Sequence, residues 1–254
     1  MPRLTIDLKQ QGFSRESALY FANVCDLAYS DDPRAAAREV LGLDATVFNH
    51  LKSDTQGFVG RGDGFSVLAF RGSEKLNQHP KDWINDIRAL QVSEDPFTGR
   101  VHAGFSRTVN AAWESVSAVL RPALQAVAAV GADDPAIPLF ITGHSLGGAL
   151  ATFAAFRLTP GLLPAAGDNP AVRFNLRATY TFGAPRVGNV EFSKTFLVPP
   201  LYRVVNNLDL VPLLLSPASR PPASVPTFLG SSPHGFERWR GRPRTRRFMR
   251  MWKR

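Results

Sequence analysis

The chain has 254 residues, a hydrophobic fraction of 44% and 18 phenylalanines, enough for one domain with a full core. No apolar run approaches the ~18 residues of a membrane-spanning helix, and the opening MPRLTIDLKQQGF has no apolar h-region, so a cytoplasmic chain or leaderless export is expected. The formal charge of +9 does not make the body basic: residues 238–254 carry nine Lys and Arg and no acid, which leaves 21 basic against 21 acidic residues elsewhere.

Ser14 to Tyr29 reads as an opening helix, with apolar Leu19, Phe21, Ala22, Val24 and Ala28 behind an N-capping Ser14. The lone Cys25 cannot form an internal disulfide and reads as a buried small hydrophobe. Asp32, Pro33 and Gly42 supply the cap, N1 proline and C′ glycine of a short second helix. Phe58-Val59 and Phe65 to Phe70 are strand-like and are separated by GRGDG, a hairpin signal. A long amphipathic pattern follows from Phe105 through Val109, Trp113, Val116 and Leu120 to Val127, and Pro122 is expected to kink or split it. Leu139 to Thr142 is the next strand, and a helix follows to about Leu158. TPGLLPAAGDNP reads as a loop, and strands are expected at ATYTF from Ala178 and YRVVN from Tyr202. Buried strands alternating with helices predict an α/β class with a mostly parallel sheet covered on both faces. Residues 1–237 read as a single domain, and 238–254 as a disordered basic tail.

The stretch FITGHSLGGAL carries the chemistry. Phe140, Ile141 and Thr142 favour a strand, whereas Leu146, Ala149, Leu150 and Phe153 recur at helical spacing. Ser145 stands at the switch, flanked by Gly143 and Gly147 at G-x-S-x-G spacing. This is the setting of a nucleophile elbow, in which a strained serine raises its hydroxyl above the carboxyl edge of a sheet. The competing reading is a glycine-rich turn with an N-capping serine.

A serine hydroxyl needs a base to take its proton and an acid to orient that base. In α/β hydrolases the chain order is Ser, acid, His. Of His50, His79, His102, His144 and His234, only His234 lies well downstream of Ser145. Between them Asp209 follows the strand at Tyr202, where parallel sheets place their chemistry. Asp168, Glu191 and Glu237 are competing acids with weaker positions.

At this point the chain resembles the class 3, or fungal-type, lipase family over about Thr55 to Leu213. The motifs run in family order: AFRGSE at 69–74, DWINDI at 82–87, VHAGFSRTV at 101–109, ITGHSLGGALA at 141–151, FGAPRVGN at 182–189 and YRVVNNLDLVP at 202–212. The resemblance implies an α/β-hydrolase fold and a serine hydrolase acting on lipid esters, with Ser145, Asp209 and His234 as its triad. It implies that Ser73 and the Leu146 N–H bind the oxyanion, and that EKLNQHPKDWI, from Glu74 to about Ile84, forms a lid. His102 and His144 fall at family positions read as structural.

PHGFERW around His234 matches the family's histidine context only approximately. A second reading is therefore a catalytically weak, hydrolase-like protein that binds lipid or a membrane surface. The tail has three readings: an arm for anionic membranes, a phosphate-binding arm for nucleic acid, disfavoured because no base-reading fold accompanies it, or the product of a shifted reading frame. The expected partners are a lipid ester substrate and transient contact with a lipid–water interface. No metal or organic cofactor is expected, because no His/Cys cluster stands at ligand spacing and no dinucleotide G-x-G-x-x-G is present.

Overall fold

Two capped helices precede the sheet. In α1 (Arg15–Leu27) the Ser14 Oγ accepts the Ser17 N–H at 3.1 Å. In α2 (Pro33–Leu41) the Asp32 carboxylate accepts the N–H groups of Arg34 and Ala35, and the helix stops at Gly42, φ 70°. Both starts satisfy backbone donors that a helix cannot bond itself, and the left-handed stop suits a residue without Cβ. The computed structural model describes residues 4–10, 12–73, 91–92, 99–128, 137–159, 174–189, 191–192, 200–206 and 227–230.

The strands are β1 (Asp44–His50), β2 (Thr55–Gly62), β3 (Phe65–Phe70), a short antiparallel pair β4 (Gln91–Val92) and β5 (Val101–His102), β6 (Ile137–His144), β7 (Phe174–Phe182), β8 (Leu201–Asn206) and β9 (Thr227–Gly230). Among the described residues the main sheet runs β1-β2-β3-β6-β7-β8-β9. Its first three strands are antiparallel, and β3 through β9 are parallel. The parallel register sets Phe70 beside Gly143, His144 beside Phe182 and Phe182 beside Val204. The carboxyl ends of β3, β6, β7 and β8 therefore share one edge.

Both faces of the sheet are covered, as period-2 alternation requires. Val67, Ala69, Phe140, Ala178 and Tyr180 pack with α1 and α2 in one cluster. Leu68, Phe70, Leu139, Ile141 and Leu176 pack with α3 (Ala103–Ala128) and α4 (Leu146–Leu158) in the other. This is the α/β-hydrolase arrangement. Of the kink or split expected at Pro122, the split does not occur: α3 runs through it as one helix of 26 residues. Pro122 and Ala118, whose carbonyl loses its partner, both lie on the exposed side. Water can serve that carbonyl while buried Leu120, Ala123 and Leu124 anchor the opposite side.

Other differences concern strands: β4, β5 and β9 were not among those expected. β1 was not evident from the sequence, because only Phe48 in DATVFNH is buried. β7 begins at Phe174 rather than Ala178. No described helix is long and apolar enough to cross a membrane.

Candidate active site

Ser145 joins β6 to α4 with φ 54° and ψ −126°. Among the described residues the only other non-glycine at positive φ is Asp54. Such a conformation costs about 1–3 kcal/mol and persists only where its surroundings over-determine it. Here the Ser145 N–H donates to the Phe182 carbonyl at 2.9 Å, and the Ser145 carbonyl accepts the Gly148 N–H at 3.0 Å. The flanking glycines let backbone meet backbone. A Cβ on Gly143 would overlap the Gly147 carbonyl, one on Gly147 would come within 2.9 Å of the Arg71 carbonyl carbon, and one on Gly148 within 2.6 Å of the Ala184 Cβ.

The Ser145 side chain does not cap the helix it begins. Its Oγ is buried and has no hydrogen-bond partner among the described residues, which makes the N-cap reading untenable. Backbone strain and burial thus meet at one residue, the serine of the elbow. Ser145 is 1% exposed, a more enclosed position than a surface turn.

Beside it runs the exit of β3, Arg71-Gly72-Ser73. Gly72 is pressed between α1 and the elbow: a Cβ there would overlap Tyr29 Oη, lie 2.5 Å from the His144 carbonyl oxygen and 3.4 Å from the Ser145 Cβ. This close approach brings the Ser73 segment alongside Ser145. Leu146 is the first residue of α4, where helix geometry leaves N–H groups without an intrahelical acceptor and the helix dipole favours negative charge.

His144 and His102 are both buried. His144 Nδ1 lies 3.0 Å from Tyr29 Oη, and burial pushes its pKa down to about 4, so the ring is neutral at pH 7. His102 Nδ1 accepts the Phe105 N–H at 3.4 Å, and its ring stacks on Phe105 with centroids 4.2 Å apart. Cys25 Sγ sits 3.1 Å from Thr142 Oγ1, which donates to the Tyr180 carbonyl at 2.8 Å. Burial pushes that thiol up to about 12, as suits an inert packing residue.

At the far side of the edge, Arg203 donates to the Ala184 carbonyl at 2.8 Å. Desolvation, reinforced by the charge of Arg186, lowers its pKa to about 10.

Asp209 and His234 lie outside the described residues, as do the expected lid, the competing acid Asp168 and the tail. β8 ends at Asn206, so Asp209 follows the carboxyl end of a parallel strand three residues later. Glu191 is exposed. Sequence reasoning missed Tyr29. Its only signal was an aromatic one turn past Cys25, indistinguishable from core.

Compared with known families, residues 67–218 match the family described as Lipase (class 3). A secreted mono- and diacylglycerol lipase of Fusarium solani is 36% identical over 152 residues, covering 58% of this chain and 38% of that one. A lipase of Rhizomucor miehei is 32% identical over 166 residues, covering 63% of this chain and 41% of that one. The matched stretch thus spans about two fifths of the length of these relatives. Among solved structures, a triacylglycerol lipase described as having a serine-protease triad at its catalytic centre superposes with a TM-score of 0.65 at 25% identity, over 88% of this chain and 83% of that one. Lipase II from Rhizopus niveus gives 0.60 at 27% identity, over 78% and 73%.

Proposed function

Since this chain belongs to the class 3 lipase family, we propose that it hydrolyses carboxylic esters of lipids, acylglycerols above all, through an acyl-enzyme on Ser145. The observation that carries this reading is the strained, enclosed serine at the strand-to-helix switch, with φ 54° and its Oγ unmatched among the described residues. A helix start satisfied by its own serine would have no use for that geometry.

Ser145 Oγ attacks the acyl carbonyl while His234 takes its proton, and Asp209 holds the imidazole in the right tautomer and stabilises its charge. The carbonyl oxygen, now an anion, is met by the N–H of Ser73 and, at the N-terminus of α4, by the N–H of Leu146. A lost donor of this kind costs about 2.7–4 kcal/mol of barrier. Protonated His234 then delivers its proton to the leaving alcohol, and water, activated by the same base, releases the acid. The name of the Fusarium relative, a mono- and diacylglycerol lipase, supports acylglycerols as the substrate class, and such poorly soluble esters put the reaction at a lipid–water interface. Residues 1–237 act as one domain, and the net positive charge of the chain belongs to segment 238–254.

The test is hydrolysis of p-nitrophenyl esters of increasing chain length by wild type and by Ser145→Ala, together with labelling by a fluorophosphonate. Turnover is expected to fall at least about a thousandfold in the variant, with label lost and the thermal melt retained. A variant keeping a tenth of the wild-type rate would remove Ser145 as nucleophile.

A further inference from the structure

We propose that Tyr29 and His144 form a positioning pair that fixes the spacing between the attacking oxygen of Ser145 and the oxyanion donor of Ser73. The proposal rests on the reaction given above. It starts from the meeting of three segments remote in sequence. Tyr29 follows the end of α1, and its hydroxyl lies 3.0 Å from His144 Nδ1, with the two rings edge-on and their centroids 6.0 Å apart. The same hydroxyl occupies the space a Cβ on Gly72 would need. One buried phenol therefore touches the residue before Ser145 and the residue before Ser73.

The contact is braced from both sides. The Arg71 guanidinium lies 5.7 Å from the centre of the Tyr29 ring. Arg71 is tied in turn to Gln56, through its N–H to the Gln56 carbonyl at 2.9 Å and its Nη1 to Gln56 Oε1 at 3.0 Å. On the elbow side, the His144 carbonyl oxygen also rests against Gly72. A shift of Tyr29 would let the Gly72-Ser73 segment and the elbow move independently.

That independence matters to the chemistry because oxyanion donors must lie ~2.7–3.1 Å from an oxygen that becomes charged only during reaction. A misplacement of about 1 Å can cost a hundredfold in rate. The loss falls on kcat, since the interaction is made in the transition state and not in the substrate complex. His144 is neutral at pH 7 because of its burial, so its ring serves as a fixed hydrogen-bonding partner.

The test uses the full chain and compares wild type with Tyr29→Phe, His144→Leu, His144→Asn and the Tyr29→Phe/His144→Leu double variant on a soluble p-nitrophenyl ester. Folding is checked by circular dichroism and a thermal melt. Tyr29→Phe and His144→Leu are each expected to lower kcat about tenfold or more with KM within about twofold. The double variant should be no worse than the worse single. His144→Asn, whose amide stands near the place of Nδ1, should recover at least about half of the wild-type kcat. An unchanged kcat in the well-folded Tyr29→Phe variant overturns the pair, as do additive losses or a His144→Asn variant as poor as His144→Leu. A wild type that neither turns over esters nor takes a fluorophosphonate label overturns the underlying reaction instead, and that result cannot be confused with an active wild type indifferent to Tyr29.

Discussion

Successive residues of β6 meet two apolar cores that differ at the strand's carboxyl end. Leu139 and Ile141 point into a cluster of aliphatic and phenylalanine side chains from α3 and α4. Phe140 joins the cluster of α1 and α2, where the contacts turn polar toward the strand's end: Cys25 to Thr142, then Tyr29 to His144. Apolar burial is non-directional and tolerates small rotations, whereas hydrogen bonds demand angles and distances. Both faces bury apolar side chains, and the α1 face adds the directional contacts that aim the strand presenting Ser145.

The largest expected effect tests the apolar side. Phe156 is fully buried in α4, with its ring centroid 4.5 Å from that of Phe192. Phe156→Ala should cost about 3–5 kcal/mol, by the same amount at pH 5 and pH 8 in urea titrations. A strongly pH-dependent loss would blur the distinction between the faces.

The polar side should respond to protons. The folded-state pKa of His144 is about 4, lowered by burial from 6.5. Between those values the unfolded chain binds the proton and the folded chain does not. The His144 contribution is therefore complete above pH 6.5, falls as the pH drops toward 4 and changes no further below it. The loss amounts to roughly 3 kcal/mol over that window. The difference in unfolding free energy between wild type and His144→Asn, followed from pH 7 to pH 4, should shift by this amount in favour of the variant. A flat difference would mean that His144 is more easily protonated than its burial implies.

The smallest effect carries the sharpest sign. Replacing a glycine within a helix by alanine ordinarily gains up to ~1 kcal/mol. Gly147→Ala should instead lose about 1–3 kcal/mol, because the new methyl meets the Phe70 and Arg71 backbone. A raised melting temperature would show that β3 and α4 can separate at no cost.

Legibility in the sequence followed the range of the interaction. The Ser14 and Asp32 caps, the Gly42 stop and the GHSLGG elbow were readable because each is decided within a few residues. The strand β1 was not, since it is an edge strand with one buried side chain and no alternating apolar signal. The continuity of α3 through Pro122 was legible only from the amphipathic pattern, which sets Ala118 and Pro122 together away from the apolar stripe. The Tyr29–His144 contact joins residues 115 apart, and no local pattern encodes it. Of the proposed site, Ser145, Ser73 and Leu146 have described positions; Asp209 and His234 do not.

The hydrogen bond from Ser145 to the Phe182 carbonyl also has a consequence in time. The elbow is held from one side by residues 70 and 71 and from the other by a carbonyl at the end of β7. A growing chain that has made GHSLGG but not yet residue 182 lacks one of these two restraints, so the backbone at Ser145 is freer to relax from φ 54°. Non-local strand pairing of this kind is slow to complete, and domains emerging from synthesis fold as units. The chain thus carries Ser145 through synthesis without its full set of restraints, and the elbow is completed when β7 docks beside β6.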